Sequence, residues 1–204
     1  MRPLFTAVAF ALGVAAASPA FASPVVNLLS FDDVTTKFAD AIPTGYGGLE
    51  WANFGVIAAA YADPVGLQNA VVSTDYVAIP TDLTTAAYFG GTSFSFKDAY
   101  FGAGARDGLV LEIWGLDSHL HVKYLTFLTV DTLGALFHTF NWTDISAVGI
   151  FASGGMLDSL VAPAQDSAVY AVDNVRIAFV PEPAVFALLG LGLGAVVLRR
   201  RRAA

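Results

Sequence analysis

The chain has 204 residues, no cysteine, and a formal charge of −7 from ten basic and seventeen acidic side chains. Lack of thiols excludes disulfides, zinc–thiolate centres, iron–sulfur clusters and cysteine nucleophiles. Arg2 and Arg199 to Arg202 lie at the two ends, so residues 23–180 keep five basic against sixteen acidic side chains, a net charge of −11. A body so acidic has no electrostatic footprint for nucleic acid or anionic lipid.

The N-terminus reads as an export signal. Met1-Arg2 is positive, Leu4 to Ala17 is almost wholly apolar, and Ala20-Phe21-Ala22 has the small-x-small form that signal peptidase cleaves. Residues 1–22 are therefore predicted to be a signal peptide with a helical core. The remaining 158 residues to Val180 are enough for one domain with its own core.

That body, residues 23–180, has the periodicity of strands. Runs rich in β-branched and aromatic residues occur at Val25 to Phe31, Leu49 to Phe54, Ala70 to Ile79, Ser93 to Phe101, Leu109 to Leu116, Leu120 to Val130, Ala135 to Trp142, Ile145 to Ala152 and Ala168 to Val180. Glycine-rich breakers such as Gly90-Gly91, Gly102 to Gly108 and Gly154-Gly155 separate several of them. Only Val56 to Asp63 suits a turn of helix. The pattern predicts an all-β fold, an antiparallel β-sandwich of the jelly-roll type. In the run Leu49 to Phe54, strict alternation puts Trp51 and Phe54 on opposite faces.

Candidate sites are sparse. Asp32 and Asp33 end the first strand and Asp173-Asn174 sit in the last, so paired terminal strands bring their oxygens together. Calcium takes six to eight oxygen ligands, and this set supplies several of them. The same residues equally suit turn capping through side-chain-to-backbone bonds. His119 and His121 alternate in a strand-like run and, with His138, have the chemistry of a zinc or copper site. Solvent-facing polar positions explain the first two as well.

No G-x-S-x-G elbow occurs, and Ser153 before Gly154-Gly155 lacks half of one. Glu50 and Glu112 are the only glutamates of the body, and neither lies in a hydrolase signature. Trp51, Trp114, Trp142, Tyr46, Tyr61 and Tyr100 are candidate sugar platforms. Trp51 and Trp114, embedded in alternating strands, read as core. Tyr46, in its glycine loop, reads as exposed, with Glu50 beside it as the accompanying polar group.

The C-terminal segment 181–204 is organised differently. Pro181-Glu182-Pro183 precedes fifteen uncharged residues, Ala184 to Leu198, and then Arg199, Arg200, Arg201 and Arg202. As a helix the apolar run reaches about 22 Å, short of the roughly 30 Å of hydrocarbon in a bilayer. The arginines stay cytoplasmic and leave the body outside. From Val180 to Arg202 the sequence resembles the PEP-CTERM sorting signal of exosortase substrates in Gram-negative bacteria. The resemblance implies that Pro181, Glu182, Pro183 and the arginine cluster are recognised by a membrane-embedded exosortase. It also implies transient anchoring in the inner membrane by a transmembrane sorting helix, then release to the cell surface or beyond. Phe31-Asp32-Asp33, Gly45 to Phe54 and Val172 to Ile177 resemble blocks of secreted jelly-roll domains common in PEP-CTERM proteins, which are similar to carbohydrate-binding modules.

Three functions fit these readings. The first is a non-enzymatic surface or matrix protein associating with exopolysaccharide, as in a biofilm. The others are a secreted carbohydrate-active hydrolase and an adhesion module that binds protein partners through exposed strand edges.

Overall fold

A computed structural model describes residues 24–179. Ten strands and one short helix follow in order: β1 (Val25–Leu29), β2 (Ala39–Ala41), β3 (Glu50–Ala52), β4 (Phe54–Ala58), α1 (Gly66–Asn69), β5 (Tyr76–Pro80), β6 (Ala87–Ala103), β7 (Arg106–Leu116), β8 (Val122–Val130), β9 (Leu136–Leu157) and β10 (Tyr170–Phe179). Every strand pairing is antiparallel. The fold is the all-β antiparallel one that the periodicity predicts. The predicted signal helix and sorting helix lie outside the described residues.

The hydrogen-bonded ladder runs β2-β4-β5-β10-β6-β9-β7-β8, with β1 added on β10 and β3 on β6. Two very long strands, β6 of 17 residues and β9 of 22, fold this ladder into two layers. Their mutual register is regular from Ala87↔Ile150 to Gly90↔Ala147, then slips three times before Asp98↔Thr139. At the same place Asn141 and Asp144 take left-handed φ values of 52° and 53°. Short polar side chains tolerate that conformation better than other non-glycine residues do. Ala135 to Trp142 and Ile145 to Ala152 are consequently one bent strand rather than two, since no glycine or proline interrupts the chain between them.

The first layer contains β2, β4, β5, β10, β1 and the inner halves of β6 and β9. The second contains β3, the other halves of β6 and β9, then β7 and β8. Large side chains fill the space between. Phe89 of the second layer meets Phe96 of the first edge-on at 5.6 Å, and Trp142 stacks on Tyr124 of β8 at 5.3 Å. Tyr170 of β10 donates its hydroxyl across the core to the carbonyl of Ile150 at 3.3 Å. Gly115 is required beneath Trp142, because a Cβ there would lie 2.7 Å from the indole. Fully buried Phe31, Phe89, Phe94, Phe96 and Phe101 each contribute about 1.5–3 kcal/mol of burial. That core stands in for the absent disulfides.

Asn53 explains a second departure from the alternation. Its φ is 59°, and β3 before it pairs with β6 while β4 after it pairs with β5. The chain crosses between layers here, so Trp51 and Phe54 face the same core, 5.6 Å apart. The Asn53 side chain holds the crossing by donating to the Asp82 carbonyl and accepting from the Asp82 N–H. The run Ala70 to Ile79 shortens to β5, and ahead of it α1 ends at Asn69. The helical turn expected in 56–63 is a single 3-10 turn, Ala59–Tyr61.

At the chain ends of the body, β1 pairs with β10 from Val25↔Phe179 to Leu29↔Val175.

Candidate functional site

The acidic residues expected to gather around calcium are spent on hydrogen-bond donors. Asp32 Oδ1 accepts the N–H groups of Asp75 and Tyr76 at 2.9 and 3.0 Å and the Ser73 hydroxyl at 3.1 Å. Asp173 Oδ2 accepts from the N–H groups of Val72 and Ser73 at 2.7 and 2.8 Å, and its Oδ1 from Asn174 at 2.6 Å. Both carboxylates therefore brace the loop before β5, the capping arrangement rather than a cation cage. Burial raises the pKa of Asp32, but the loop N–H groups outweigh it and hold the group below the usual carboxylate range. At Asp173, which is fully buried, desolvation wins and the pKa is raised. Asp33 accepts the Tyr46 hydroxyl, and the Asn174 side chain makes no hydrogen bond among the described residues.

Among the described residues no group of three or more histidine or acidic side chains is placed to hold a metal ion. His119 and His121 occupy the tip of the β7–β8 hairpin with near-parallel rings 6.0 Å apart, and Asp117 accepts the N–H of each. His138 lies in β9 against Phe140, where burial lowers its pKa.

Tyr46 is not an open platform. Its hydroxyl donates to Asp33 at 2.8 Å and accepts the Phe31 N–H at 3.1 Å, while its ring packs 5.8 Å from Phe31. Desolvation, helped by Asp33, raises its pKa and keeps the phenol protonated. It covers Trp51, whose Nε1 donates to the Tyr46 carbonyl at 3.0 Å. Glu50, by contrast, is exposed on the outer face of the second layer.

That outer face holds a set of aromatic groups beside an open groove. One cross-strand row reads Ala52, Tyr88, Gly149, Trp114 and Leu125, each opposite the next on β3, β6, β9, β7 and β8. Both rings lean over Gly149: a Cβ there would meet Tyr88 Cε1 at 2.5 Å and Trp114 Cε3 at 2.9 Å. The adjoining row carries Gly90, Ala147 and Leu116, and the hairpin adds Leu120 and Val122. Ala52, Tyr88, Trp114, Leu116, Ala147 and the two hairpin residues line an open groove of about 610 Å³. Trp114 Nε1 donates to Glu112 Oε1 at 3.0 Å, which fixes the indole plane.

Trp114 was expected in the core, and the structure places it here instead. Leu109, Leu111 and Ile113 take the inward positions of β7, leaving Val110, Glu112 and Trp114 outward. Glu112 in that outward set was the readable cue. Tyr88 and Gly149 carried no cue in the sequence, because their meeting depends on a pairing between distant strands.

Glu50 and Glu112 share this face, three strands and four residues apart. Sheet spacings put that at about 20 Å, against roughly 5–9.5 Å for the two acids of a glycosidase. The two glutamates do not flank one glycosidic bond.

Residues 179–202 match the model of the PEP-CTERM protein-sorting motif. No curated protein matches the sequence. Among solved structures, the chain is similar to a DUF4465 family protein from Bacteroides caccae, with 8% identity, 75% of this chain and 98% of that one covered, and a TM-score of 0.54. A DUF4465 family protein from Bacteroides ovatus aligns with 7% identity over 78% of this chain and 100% of that one, at a TM-score of 0.48. The CBM22-1 xylan-binding domain of Paenibacillus barcinonensis Xyn10C aligns with 13% identity over 78% and 98%, at 0.40. The first of these likenesses shows a shared β-sandwich fold.

Proposed function

We propose that this chain is an exported, non-enzymatic surface protein that is sorted by an exosortase through its PEP-CTERM motif and binds a neutral polysaccharide on the Tyr88–Trp114 face. Signal peptidase removes residues 1–22, and the apolar tail holds the protein transiently in the inner membrane of a Gram-negative cell.

The observation that carries the binding half is the pair of rings leaning over Gly149 in an open groove. Aromatic faces pack against the C–H surface of a pyranose, while hydroxyls need planar polar partners at the edge. Glu50 on the rim and the Tyr88 hydroxyl provide such partners. The net charge of −11 on residues 23–180 repels uronic-acid or phosphate-bearing polymers and favours an uncharged one. An open groove crossing several strands suits a long chain better than a closed pocket does.

The test uses the protein purified after export and a panel of neutral polysaccharides in affinity gel electrophoresis. Trp114→Ala is expected to weaken binding tenfold or more, about 1.4 kcal/mol, while its melting temperature stays near that of wild type. Undiminished binding by Trp114→Ala, or no binding by wild type to any member of the panel, overturns the proposal.

One observation supports an adhesion reading of the same face. Leu125 and Phe127 of β8 are 49% and 60% exposed beside the groove, on a strand that among the described residues pairs with β7 alone. A protein partner docking there would not be displaced by soluble oligosaccharide, whereas a glycan would.

A further inference from the structure

The opposite face of the sandwich carries a second cluster of aromatic and polar groups. On the outer side of the first layer, Tyr100 of β6 lies directly across from Phe137 of β9, with ring centroids 5.0 Å apart. Phe137 is 44% exposed. Beside the rings, Arg176 of β10 forms a two-pronged pair with Asp98 of β6, Nε to Oδ1 at 2.6 Å and Nη2 to Oδ2 at 2.7 Å. The Asp98 side chain is only 7% exposed and the Arg176 side chain 49%. Asn174 sits where the β10–β6 register slips between Asp173 and Arg176, and its φ of 50° marks an irregularity in the strand. These residues and Leu28 surround a pocket of about 280 Å³.

The pairing of Asp98 with Arg176 accounts for the buried carboxylate but not for the groups left over. Arg176 Nη1, the Asn174 amide and the Tyr100 hydroxyl make no protein hydrogen bond among the described residues, and all three border one pocket. Planar donors and acceptors around an exposed ring pair match the vicinal hydroxyls and C–H face of a sugar. The ion pair is neutral as a unit, so it gives no preference for an acidic sugar. Its pocket is smaller than the groove of the second layer and fits a short stretch or an end of a chain.

We infer that this is a second glycan site, and that the domain bridges two neutral polysaccharide chains, one on each outer face. The inference rests on the glycan reading of the Tyr88–Trp114 groove. Two stacked sheets stand about 10 Å apart, so the sites lie back to back rather than along one continuous groove. Bridging then raises avidity for a polymer network without any new contact, and turns a binding module into a cross-linker.

The test uses the exported protein with the neutral polysaccharide that it retains in gels, and with a short oligosaccharide of the same sugar. Titration calorimetry is expected to give two oligosaccharides per chain, and light scattering to show aggregation of the polymer. Phe137→Ala with Tyr100→Ala should bind one and lose the scattering. Asn174→Gly, which keeps the backbone conformation and removes only the amide, should weaken the second event at least several-fold. Trp114→Ala should lose the other event and the scattering. A single equivalent for wild type, or unchanged stoichiometry and scattering in both first-layer variants, overturns the bridging inference and leaves the groove reading standing. Binding lost only through the first-layer substitutions removes the groove reading and bridging together. No binding by wild type removes both.

Discussion

Trp51 and Trp114 both lie in strands of the second layer, in stretches of alternating pattern, yet their surroundings are opposite. Trp51 is roofed by the loop carrying Tyr46 and touches the rings of Phe31, Tyr46, Phe54 and Phe89, between 5.0 and 6.3 Å away. Trp114 points away from the core, where only Glu112 fixes its edge and Tyr88 leans towards it over Gly149. The difference teaches that an aromatic side chain in a β-sandwich becomes core or platform according to what covers its face. Strand periodicity sorts residues into two sets; it does not say which set is roofed.

The largest expected effect tests that contrast directly. Trp51→Ala opens a cavity among packed rings and is expected to cost about 3–5 kcal/mol of stability in denaturant titration. Trp114→Ala should cost less than about 1 kcal/mol while losing binding in the groove. Equal losses for the two would make the outer face a second core and break the comparison. Gly149→Val comes next: its side chain must push both rings outward, at a cost of about 1–3 kcal/mol. Tryptophan emission should shift to the red as Trp114 becomes wetter, and groove binding should fall. Unchanged emission and binding would mean that the rings do not depend on the bare glycine.

The smallest effect concerns acid. Asp32 has a lowered folded pKa, so its stabilising contribution is complete above the ordinary aspartate value near about 4 and fades as pH falls through the folded value. Asp173, with a raised pKa, works in the opposite sense: its charged form costs stability as pH rises through its folded value. Asp32→Asn should therefore flatten the acid limb of a melting-temperature profile. An unaltered slope below about pH 4 would assign acid sensitivity to other carboxylates.

The sorting motif and the all-β class were legible because both are written in local pattern: a Pro-Glu-Pro step, an apolar run and an arginine cluster in one, period-two alternation between glycines in the other. β7 follows Leu109 to Leu116 closely for the same reason. The bend of β9 was not legible, since Asn141 and Asp144 turn the strand without a breaker. Nor was the layer crossing at Asn53, which is visible only through its bonds to Asp82 and Thr85. The candidate site was the least legible part. Asp173 finds its partners in Val72 and Ser73, about a hundred residues earlier, and Tyr88 meets Trp114 only through an intervening strand. Pairings at that range leave no mark in a window of sequence.

The edge-to-edge contact of β1 with β10 ties the earliest strand made to the last. Val25 has no place to dock until Phe179 exists, so the sandwich cannot close before the last described strand is available. Contacts joining opposite ends of a chain slow folding. On the export route proposed above, the body is thus expected to cross the membrane open and to close on the far side, with Val25 and Phe179 side by side.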